Sequence, residues 1–234
     1  MKKNRILLLS VLAIACAAIW PVSASADIIG LSLLIDGSGS ISASEFTLQK
    51  TGYVNALTAQ LPIDGSVAIE VIQFASTLQT PYALTLIDSA AAKTALLNAI
   101  SGMTQINTNT AIGDAIELAT ADLMAFAGLT KQLIDVSTDG QGNTGTNQVV
   151  AADAAIAAGI DQVNALCIGG AALCNFTRGV GSFDLTVASF ADFGPAIEQK
   201  LRTEIHGTPE PSSLLLLGSG LVGLGAVAWR RRKS

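Results

Sequence analysis

Two kinds of apolar pattern alternate along the middle of the chain. Short apolar runs of strand length, such as residues 28–35, precede longer segments in which apolar side chains recur every three or four positions, as at 46–61. The first pattern predicts buried strands and the second predicts amphipathic helices. Further strands are predicted at 66–74, 83–87, 131–137, 162–168 and 183–189, and further helices after 88–89, near 110–126, at 149–159 and at 190–205.

This alternation of strands and helices predicts the fold class. Strands that alternate with helices form a doubly wound, Rossmann-like α/β sheet in which most strands are parallel. The link between the strands at 66–74 and 83–87 is short enough for a hairpin. We therefore predict a mostly parallel sheet with one antiparallel edge strand.

The first strand stops abruptly at a polar sequence, Asp-Gly-Ser-Gly-Ser, at residues 36–40. Asp36, Ser38 and Ser40 occupy alternate positions just beyond the strand. In parallel sheets, ligands bind at the carboxyl ends of the strands. Carboxylate and hydroxyl oxygens are the ligands that Mg²⁺ or Mn²⁺ prefers. The same residues are also typical of a flexible turn, so this sequence alone leaves both interpretations open.

Two later segments place more oxygen-bearing side chains at predicted loops. Thr108 and Thr110 come at the start of a predicted helix, and Asp139 follows the strand at 131–137, before a glycine. Threonine at a helix start commonly caps free backbone amides, which is the alternative interpretation for each threonine. Asp139, however, repeats the arrangement of Asp36 at a second strand end. The sequence thus predicts several oxygen ligands at one edge of the sheet.

Both ends of the chain carry targeting features. Residues 1–26 have a basic start, an apolar stretch and Ala-Ser-Ala before Asp27, which is typical of a secretory signal peptide. Residues 212–229 contain no charged side chain and are long enough to span a bilayer as a helix. The basic residues at 230–233 would stay on the cytoplasmic side of that membrane.

The carboxyl-terminal features, together with Pro209, Glu210 and Pro211, resemble a PEP-CTERM sorting signal. The resemblance implies recognition by a membrane exosortase, cleavage near this motif, and export to the surface or extracellular matrix of a Gram-negative bacterium. A permanent single-pass anchor is the alternative, because the helix and the basic tail suffice for it. We divide the chain into a signal peptide (1–26), an exported domain (27–208) and a sorting signal (209–234).

The exported domain is acidic. Residues 27–208 contain six basic and seventeen acidic residues, a net charge of −11, because seven of the thirteen basic residues lie in the terminal signals. Such a surface repels the phosphates of nucleic acids and anionic membranes and attracts divalent cations. We therefore expect no nucleic-acid partner.

Two cysteines remain once Cys16 is removed with the signal peptide. Cys167 and Cys174 are separated by six residues. In an exported protein, such a pair favours a disulfide over a metal site or a nucleophile. A zinc site is further disfavoured because His206 is the only histidine.

The polar segments occur in the order of the metal-ion-dependent adhesion site of the von Willebrand factor A (VWA) domain family, which residues 28–205 resemble. The matching sequences are Asp36-Gly37-Ser38-Gly39-Ser40, then Thr108-Asn109-Thr110 leading into Ala111-Ile112-Gly113, then Thr138-Asp139-Gly140. All three occur at suitable spacing. This combination is far more specific than any one of the motifs.

The resemblance implies a ligand set for one divalent cation. Ser38 and Ser40 would bind through their hydroxyls, Thr108 directly or through water, and Asp36 and Asp139 largely through bridging waters. Thr110 and Thr104 are alternates for the threonine role, and Thr110 is the better of the two. Mg²⁺ is the expected ion, with Mn²⁺ or Ca²⁺ as alternatives.

The implied function is ligand capture rather than catalysis. Neutral hydroxyl ligands leave the ion electron-poor, so an acidic group on a protein or polysaccharide can complete its coordination. A structural matrix protein whose metal serves stability is one alternative. An envelope hydrolase is another, but His206 lies beyond the last predicted helix and no G-x-S-x-G or H-E-x-x-H motif is present.

Asp135 departs from the family pattern. It is a carboxylate inside a predicted buried strand, where the family more often has an aliphatic residue. One interpretation is that it pairs with backbone amides or neighbouring hydroxyls. The other is that it orients the metal ligands through Ser137 or a water.

Overall fold

The computed structural model describes residues 27–170 and 174–207. The predicted signal peptide at 1–26, the Pro209, Glu210 and Pro211 motif and the predicted membrane helix at 212–229 lie outside the described residues. Within the described ranges, none of the helices combines the length and the apolar character needed to cross a membrane.

Strands and helices alternate along the described chain, as the apolar patterns predict. The strands are β1 (Ile29–Asp36), β2 (Val67–Phe74), β3 (Leu78–Leu86), β4 (Lys131–Thr138), β5 (Gln162–Ile168) and β6 (Asp184–Val187). The helices are α1 (Ala43–Gln60), α2 (Ala90–Ser101), α3 (Ile112–Ala125), α4 (Gln148–Ala158) and α5 (Phe193–His206), and a 3₁₀ turn, Phe190–Asp192, precedes α5.

The strands form one sheet in the order β3-β2-β1-β4-β5-β6. Neighbouring strands are parallel except β3, which runs antiparallel to β2 at the edge. This confirms the predicted doubly wound α/β sheet. β1 lies in the middle, and its register with β2 and β4 places Asp36 opposite Phe74 and Ile35 opposite Ser137. The loops after β1, β2 and β4 therefore leave the sheet at the same edge.

Helices cover both faces of the sheet, each over its own hydrophobic core. Helices α1, α2 and α5 pack on one face, where Tyr53 and Phe193 are among the largest fully buried side chains. Helices α3 and α4 pack on the other face, where alanines and Phe74 fill the core. Alternate residues of each strand point to opposite faces, which explains why the central strands are apolar at nearly every position.

Local sequence signals mark the helix ends. Ser42 and Glu45 form a capping box at the start of α1, and the Ser89 hydroxyl caps α2. Gly159 ends α4 in the left-handed conformation, at φ 118°. Helix α3 begins after Ala111 with no side-chain cap, so the capping role considered for the preceding threonines is not found.

Two strands differ in length from the prediction. β3 begins at residue 78 rather than 83, and β6 spans only four residues. β3 is an edge strand that contains Pro81, and irregularities interrupt its pairing with β2. Proline is tolerated at a sheet edge because the edge leaves amides unpaired. The proline also interrupts the alternation of apolar and polar residues by which a strand is predicted from sequence.

Cys167, at the end of β5, is joined to Cys174 by a disulfide, with the two α-carbons 6.3 Å apart. The bond closes the short loop beyond the strand. It also connects the core on the α3 and α4 face, where Cys167 is buried, to the less buried Cys174.

Candidate metal centre

Asp36 forms the floor of the candidate site. It is the last residue of β1 and is fully buried. Its Oδ1 accepts a hydrogen bond from the Ser38 amide at 2.8 Å, and its Oδ2 accepts one from the Thr138 hydroxyl at 2.6 Å. Because Thr138 ends β4, the carboxylate joins the ends of two neighbouring strands.

A row of oxygen atoms leads from this floor towards solvent. The hydroxyl oxygens of Ser38 and Ser40 lie 3.0 Å apart, and the Ser40 hydroxyl donates to Asp139 Oδ1 at 2.6 Å. Ser38 is buried, Ser40 is exposed and Asp139 is half-buried. The structure therefore brings four of the predicted residues together: Asp36, Ser38, Ser40 and Asp139.

Gly37 and Gln73 set the path of the first loop. A β-carbon on Gly37 would lie 2.2 Å from Gln73 Oε1, so only glycine fits against this side chain. Gln73 near the end of β2 accepts from the Ile106 amide at 2.9 Å and donates to the Thr104 carbonyl at 3.0 Å. Thr104 thus enters the arrangement through its backbone, and Gln73 holds the threonine-containing loop beside the first loop.

The loop at residues 104–110 is docked on the first loop by further hydrogen bonds. The Gln105 side chain donates to the Ser38 and Ile41 carbonyls at 2.9 and 2.7 Å. The Gly39 amide donates to the Thr108 carbonyl at 2.7 Å. Asn107, at φ 61°, adopts the left-handed conformation that asparagine tolerates better than most residues. The backbone of Thr108 therefore lies against the serine loop.

The two threonine side chains are placed differently from the serines. The Thr108 hydroxyl accepts a hydrogen bond from the Ser76 amide at 3.0 Å, in the loop after β2. Thr110 is buried, and its amide donates to Asn143 Oδ1 at 2.9 Å. Within the described residues, neither threonine hydroxyl is hydrogen-bonded to the serine and aspartate row. A hydroxyl oxygen has two lone pairs and a proton, so Thr108 retains bonding capacity beside Ser76.

The two carboxylates of the site have no basic group beside them among the described residues. Burial raises the pKa of Asp36 to about 6, against the opposing hydrogen bonds from Ser38 and Thr138, and the nearby Asp139 charge adds to the rise. The pKa of Asp139 is also raised, mainly by partial burial, while its bond from Ser40 opposes the rise. In the part of the chain that the structure describes, no Lys, Arg or His nitrogen lies within 4 Å of either carboxylate.

The donor set fits a hard divalent cation. Two carboxylates and neighbouring hydroxyls are the oxygen ligands that Mg²⁺, Mn²⁺ and Ca²⁺ bind, and a bound cation would favour the charged form of both aspartates. No group of three or more His, Cys, Asp or Glu side chains suited to a metal occurs among residues 27–170 and 174–207. The candidate site instead depends on serine hydroxyls between two carboxylates.

Asp135 has a partner that its strand does not reveal. Its Oδ1 lies 2.6 Å from the Lys200 ammonium nitrogen of α5, and both side chains are fully buried. The Ser137 hydroxyl instead donates to Gln49 Oε1 and accepts from the Tyr53 hydroxyl. The expected backbone or hydroxyl partner of Asp135 is therefore replaced by a lysine, and no hydrogen bond links Asp135 to Ser137.

Several residues that position the site are absent from the sequence prediction. They are Gln73, Ser76, Gln105, Thr138 and Asn143, which bind the loops to one another. Gln73 carried a signal, since Glu70 and Gln73 are the two polar residues of a fully buried strand. Thr138 ends β4 and belongs to a matched motif, but the sequence assigned it no role. Ser76, Gln105 and Asn143 lie in polar loop sequences, where nothing distinguishes a structural hydrogen bond from exposure to solvent.

His206 lies far from the site. Its Nε2 is 3.0 Å from the Gln60 carbonyl, at the last residue of α1. That helix begins beside the serine loop and has 18 residues. At 1.5 Å per residue it is about 27 Å long, so the histidine lies at the opposite end of the domain from Asp36 and Asp139.

Sequence comparisons identify two segments. Residues 28–209 match the profile of the family described as "Protein of unknown function (DUF1194)". Residues 208–233 match the PEP-CTERM protein-sorting motif. No curated protein is significantly similar to the chain in sequence.

Solved structures resemble the described fold at low sequence identity. Proximal thread matrix protein 1 from the mussel byssus, with a zinc-occupied MIDAS motif, has 22% identity and a TM-score of 0.63 and covers 76% of this chain and 46% of its own. A von Willebrand factor type A protein from Catenulispora acidiphila has 14% identity and a TM-score of 0.64, with coverages of 76% and 43%. The pilus adhesin SpaC from Lactobacillus rhamnosus GG has 17% identity and a TM-score of 0.62, with coverages of 76% and 30%.

These comparisons confirm the VWA fold and the PEP-CTERM signal. The chain spans less than half the length of each of the three proteins, and at these identities the likeness concerns the fold alone. The sorting motif implies an exported, surface-associated protein that is processed by an exosortase.

Proposed function

The chain belongs to the family of proteins of unknown function called DUF1194, and we propose that it is a non-enzymatic, exported binding module that captures an acidic ligand through a divalent cation. The cation site would consist of residues from three loops at one edge of the sheet: Asp36, Ser38, Ser40, Thr108 and Asp139. We further propose Mg²⁺ as the native ion, with Mn²⁺ and Ca²⁺ as alternatives.

The row of oxygens that runs from buried Asp36 through the two serines to Asp139 carries this proposal. Two of its members are carboxylates with raised pKa values and no basic neighbour among the described residues. A cation at this row would supply the missing positive charge. It would replace the hydrogen bonds that the serine hydroxyls now make with each other and with Asp139.

The proposed division of roles follows from burial. Ser38 and Ser40 would hold the ion through neutral hydroxyls, whereas Asp36 and Asp139 would contribute negative charge. Thr108 would contribute its hydroxyl from the adjoining loop, directly or through water. With few direct carboxylate ligands, the ion keeps affinity for an additional carboxylate from outside.

The acidic surface of the domain supports a bridging role for the ion. With a net charge of −11, residues 27–208 would repel an acidic protein or an acidic polysaccharide. A divalent cation at an exposed edge reverses the sign of the interaction locally. We therefore propose that ligand capture depends on the metal, and that acidic groups of a protein or polysaccharide are the ligands.

The sorting signal supports a surface location for this activity. We propose that an exosortase cleaves near Pro209, Glu210 and Pro211, and that the segment at 212–229 holds the chain in the membrane until then. Retention of that segment as a permanent anchor is the alternative. Two proteins with the same fold, a pilus adhesin and a matrix protein with zinc in its MIDAS motif, support adhesive use of such a site.

The direct test is calorimetric titration of the full chain, purified in detergent, with MgCl₂ and with MnCl₂. We expect the wild type to bind one ion at the proposed site of Asp36, Ser38, Ser40, Thr108 and Asp139, called here the strand-end site. In Asp139→Ala the affinity for this ion should be roughly 10- to 100-fold lower, which is the range found when groups that orient metal ligands are removed. Asp184→Ala removes an exposed carboxylate of β6 and serves as the matched control. Equal affinities in the wild type and Asp139→Ala would contradict the proposal.

Capture is tested with polygalacturonate, an acidic polysaccharide, and with a glutamate-rich peptide as a protein-like probe. We expect the immobilised chain to retain at least one of these probes in Mg²⁺ and to release it in EDTA. Asp139→Ala should retain neither, and Asp184→Ala should behave as the wild type. Retention that is unaffected by EDTA would contradict metal-dependent capture.

A structural matrix protein is the second candidate. The Ser40 to Asp139 hydrogen bond already joins the loops after β1 and β4, so a cation there would also stabilise the fold. Two of the similar structures are of one protein, a matrix protein of the mussel byssus thread. This candidate predicts that EDTA lowers the melting temperature of the metal-loaded chain while neither probe is retained in Mg²⁺.

A further inference from the structure

A second polar cluster lies inside the domain, on the sheet face covered by α3 and α4. Ser32 of β1 and Glu70 of β2 are directly paired in the parallel register of the two strands. Both are fully buried. They occupy the same face of the sheet as Leu34 and Ile72, which belong to the core beneath α3. The cluster is therefore separated from the strand-end loops by the length of half a strand.

The oxygen atoms of this cluster have no hydrogen-bond partners. Neither the Ser32 hydroxyl nor either carboxyl oxygen of Glu70 makes a hydrogen bond of acceptable geometry. Within the described ranges, no Lys, Arg or His nitrogen lies within 4 Å of the Glu70 carboxyl. Three unpartnered buried oxygens at one place are unusual, because burying a polar group without a partner costs free energy.

Asp122 of α3 connects the cluster to solvent. Its carboxyl lies beside that of Glu70 and raises the pKa of Glu70. The Ser32 hydroxyl is the other polar neighbour, and it lowers this pKa. Asp122 is half-buried and lines a cavity of about 220 Å³ together with Ala83, Leu84, Ala125 and Phe126. Asp122 is therefore the member of the cluster that is accessible from this cavity.

A proton alone does not satisfy this arrangement. Burial is the main cause that raises the pKa of Glu70 to about 8, so the side chain holds a proton at neutral pH. That proton can bridge one Glu70 oxygen to Asp122. The Ser32 hydroxyl is then the neighbour of the second Glu70 oxygen, but the two do not reach hydrogen-bond geometry. A divalent cation, in contrast, binds several oxygens at once.

We propose that Ser32, Glu70 and Asp122 form a second binding site for a hard divalent cation such as Ca²⁺ or Mn²⁺. The two carboxylates balance the charge of the ion, the Ser32 hydroxyl supplies a neutral ligand, and water from the cavity beside Asp122 completes the coordination. The site shares no residue with the strand-end centre and does not depend on the proposed adhesive function. Its effect would be to lock α3 onto β1 and β2.

The test counts bound Mn²⁺ from the electron paramagnetic resonance signal of the free ion, using the full chain in detergent. We expect two bound ions in the wild type, one in Asp139→Ala, one in Glu70→Gln and none in the double variant. Glutamine has the size of a protonated glutamate and should be accommodated. Asp122→Asn, at the half-exposed rim of the cavity, should also lose one ion and decides the test if Glu70→Gln does not fold.

Glu117→Gln is the matched control, because it removes an exposed carboxylate from the same helix and should keep both ions. If Asp122→Asn and the folded Glu70→Gln bind as many ions as the wild type, the second site is excluded. If Asp139→Ala keeps the wild-type count while Glu70→Gln loses one ion, the strand-end proposal fails and the second site stands. The two proposals can therefore fail independently.

Discussion

The two faces of the sheet bury charged groups in different ways. Beneath α5, the Lys200 ammonium lies 2.6 Å from Asp135 Oδ1 and 2.5 Å from Glu204 Oε1. Beneath α3, Glu70 and Ser32 are as deeply buried, but their oxygens have no hydrogen-bond partners. The first face thus contains its own cation, whereas the second has two carboxyls and no basic group nearby among the described residues.

The two faces differ in the source of the positive charge that balances their buried carboxyls. Beneath α5, burial and the Asp135 charge raise the pKa of Glu204 to about 8, so that a lysine and one proton balance two carboxyls. The Asn164 amide donates to Glu204 Oε1 at 2.9 Å, while Asp135 Oδ2 and Glu204 Oε2 have no hydrogen-bond partner within the described residues. Beneath α3, the balancing charge must come from solvent, as a proton or as a metal ion. Stability should therefore depend on Lys200 on one face and on solution conditions on the other.

The largest effect is expected from Lys200→Met. The substitution leaves Asp135 and Glu204 buried without their cation, and breaking a buried ion pair in this way costs about 3–5 kcal/mol of unfolding free energy. Urea denaturation at pH 7 in EDTA measures the loss. Lys131→Met, at a partly exposed lysine of β4, is the control and should change the free energy by about 0.5 kcal/mol or less. We call Asp135, Lys200 and Glu204 the buried trio. Equal stability of Lys200→Met and the wild type would show that the buried trio contributes nothing to the free energy of unfolding.

A smaller effect is expected from pH. Glu204 and Glu70 have pKa values raised from 4.5 to about 8, so the native state holds protons that the unfolded chain releases over this range. Stability should therefore be greatest below pH 4.5 as far as these two groups are concerned, and fall as pH rises towards 8. Each group contributes a slope of at most about 1.4 kcal/mol per pH unit.

Urea denaturation at several pH values, in EDTA, measures this slope. Glu204→Gln should remove the contribution of Glu204 to the slope, since glutamine does not titrate. Glu198→Gln, at a more exposed position of the same helix, should leave the slope unchanged. With Ca²⁺ or Mn²⁺ in place of EDTA, the contribution of Glu70 to the slope should decrease, because the ion displaces the proton of Glu70. The contribution of Glu204 should not change. A slope that is the same in Glu204→Gln and the wild type would refute the raised pKa of Glu204.

Much of this arrangement follows from local sequence patterns. The period of the apolar residues predicts β1 and α1, and the capping box at Ser42 predicts where α1 begins. The strand-end rule then brings Asp36 and Asp139 to one edge, because Asp36 ends β1, Asp139 follows β4, and these parallel strands are neighbours in the sheet. For these residues, proximity is a consequence of topology and needs no knowledge of side-chain packing.

The buried charges could not be assigned in the same way. Lys200 lies three positions after Ile197, a spacing that places it beside the apolar face of α5. Its partner was not visible in the sequence, because no sequence pattern states which strand lies beneath which turn of a helix. The surroundings of Glu70 were equally invisible, since the sequence of β2 shows a glutamate in a buried strand but not what faces it. Contacts between distant segments depend on tertiary packing.

The next prediction concerns Glu70→Gln in the absence of metal. Because Glu70 is already protonated at pH 7, the substitution replaces one neutral side chain by another of the same size. We expect a change of less than about 1 kcal/mol in unfolding free energy in EDTA, in contrast to Lys200→Met on the other face. Urea denaturation at pH 7 checks this value. A loss as large as that of Lys200→Met would show that Glu70 is charged and paired in the native state.

The smallest effect is expected for Asp135→Asn on the strand-end centre. Asp135 lies in the same strand as Ser137 and Thr138, and a role in orienting the metal ligands was one interpretation of its position. In the structure it faces Lys200, and the Ser137 hydroxyl binds Gln49 and Tyr53 instead. We therefore expect the Mg²⁺ affinity of the strand-end site to stay within about twofold of the wild type, far below the 10- to 100-fold change for a group that orients ligands.

Calorimetric titration of folded Asp135→Asn with MgCl₂ measures this affinity, and Thr138→Val serves as the contrasting variant. Thr138 donates directly to Asp36 Oδ2 at 2.6 Å, so its loss should weaken Mg²⁺ binding even though valine has nearly the same shape. If Asp135→Asn weakens binding as much as Thr138→Val, the buried trio beneath α5 and the metal centre act as one unit. If only Thr138→Val does so, the charge balance of the core and that of the sheet edge are independent.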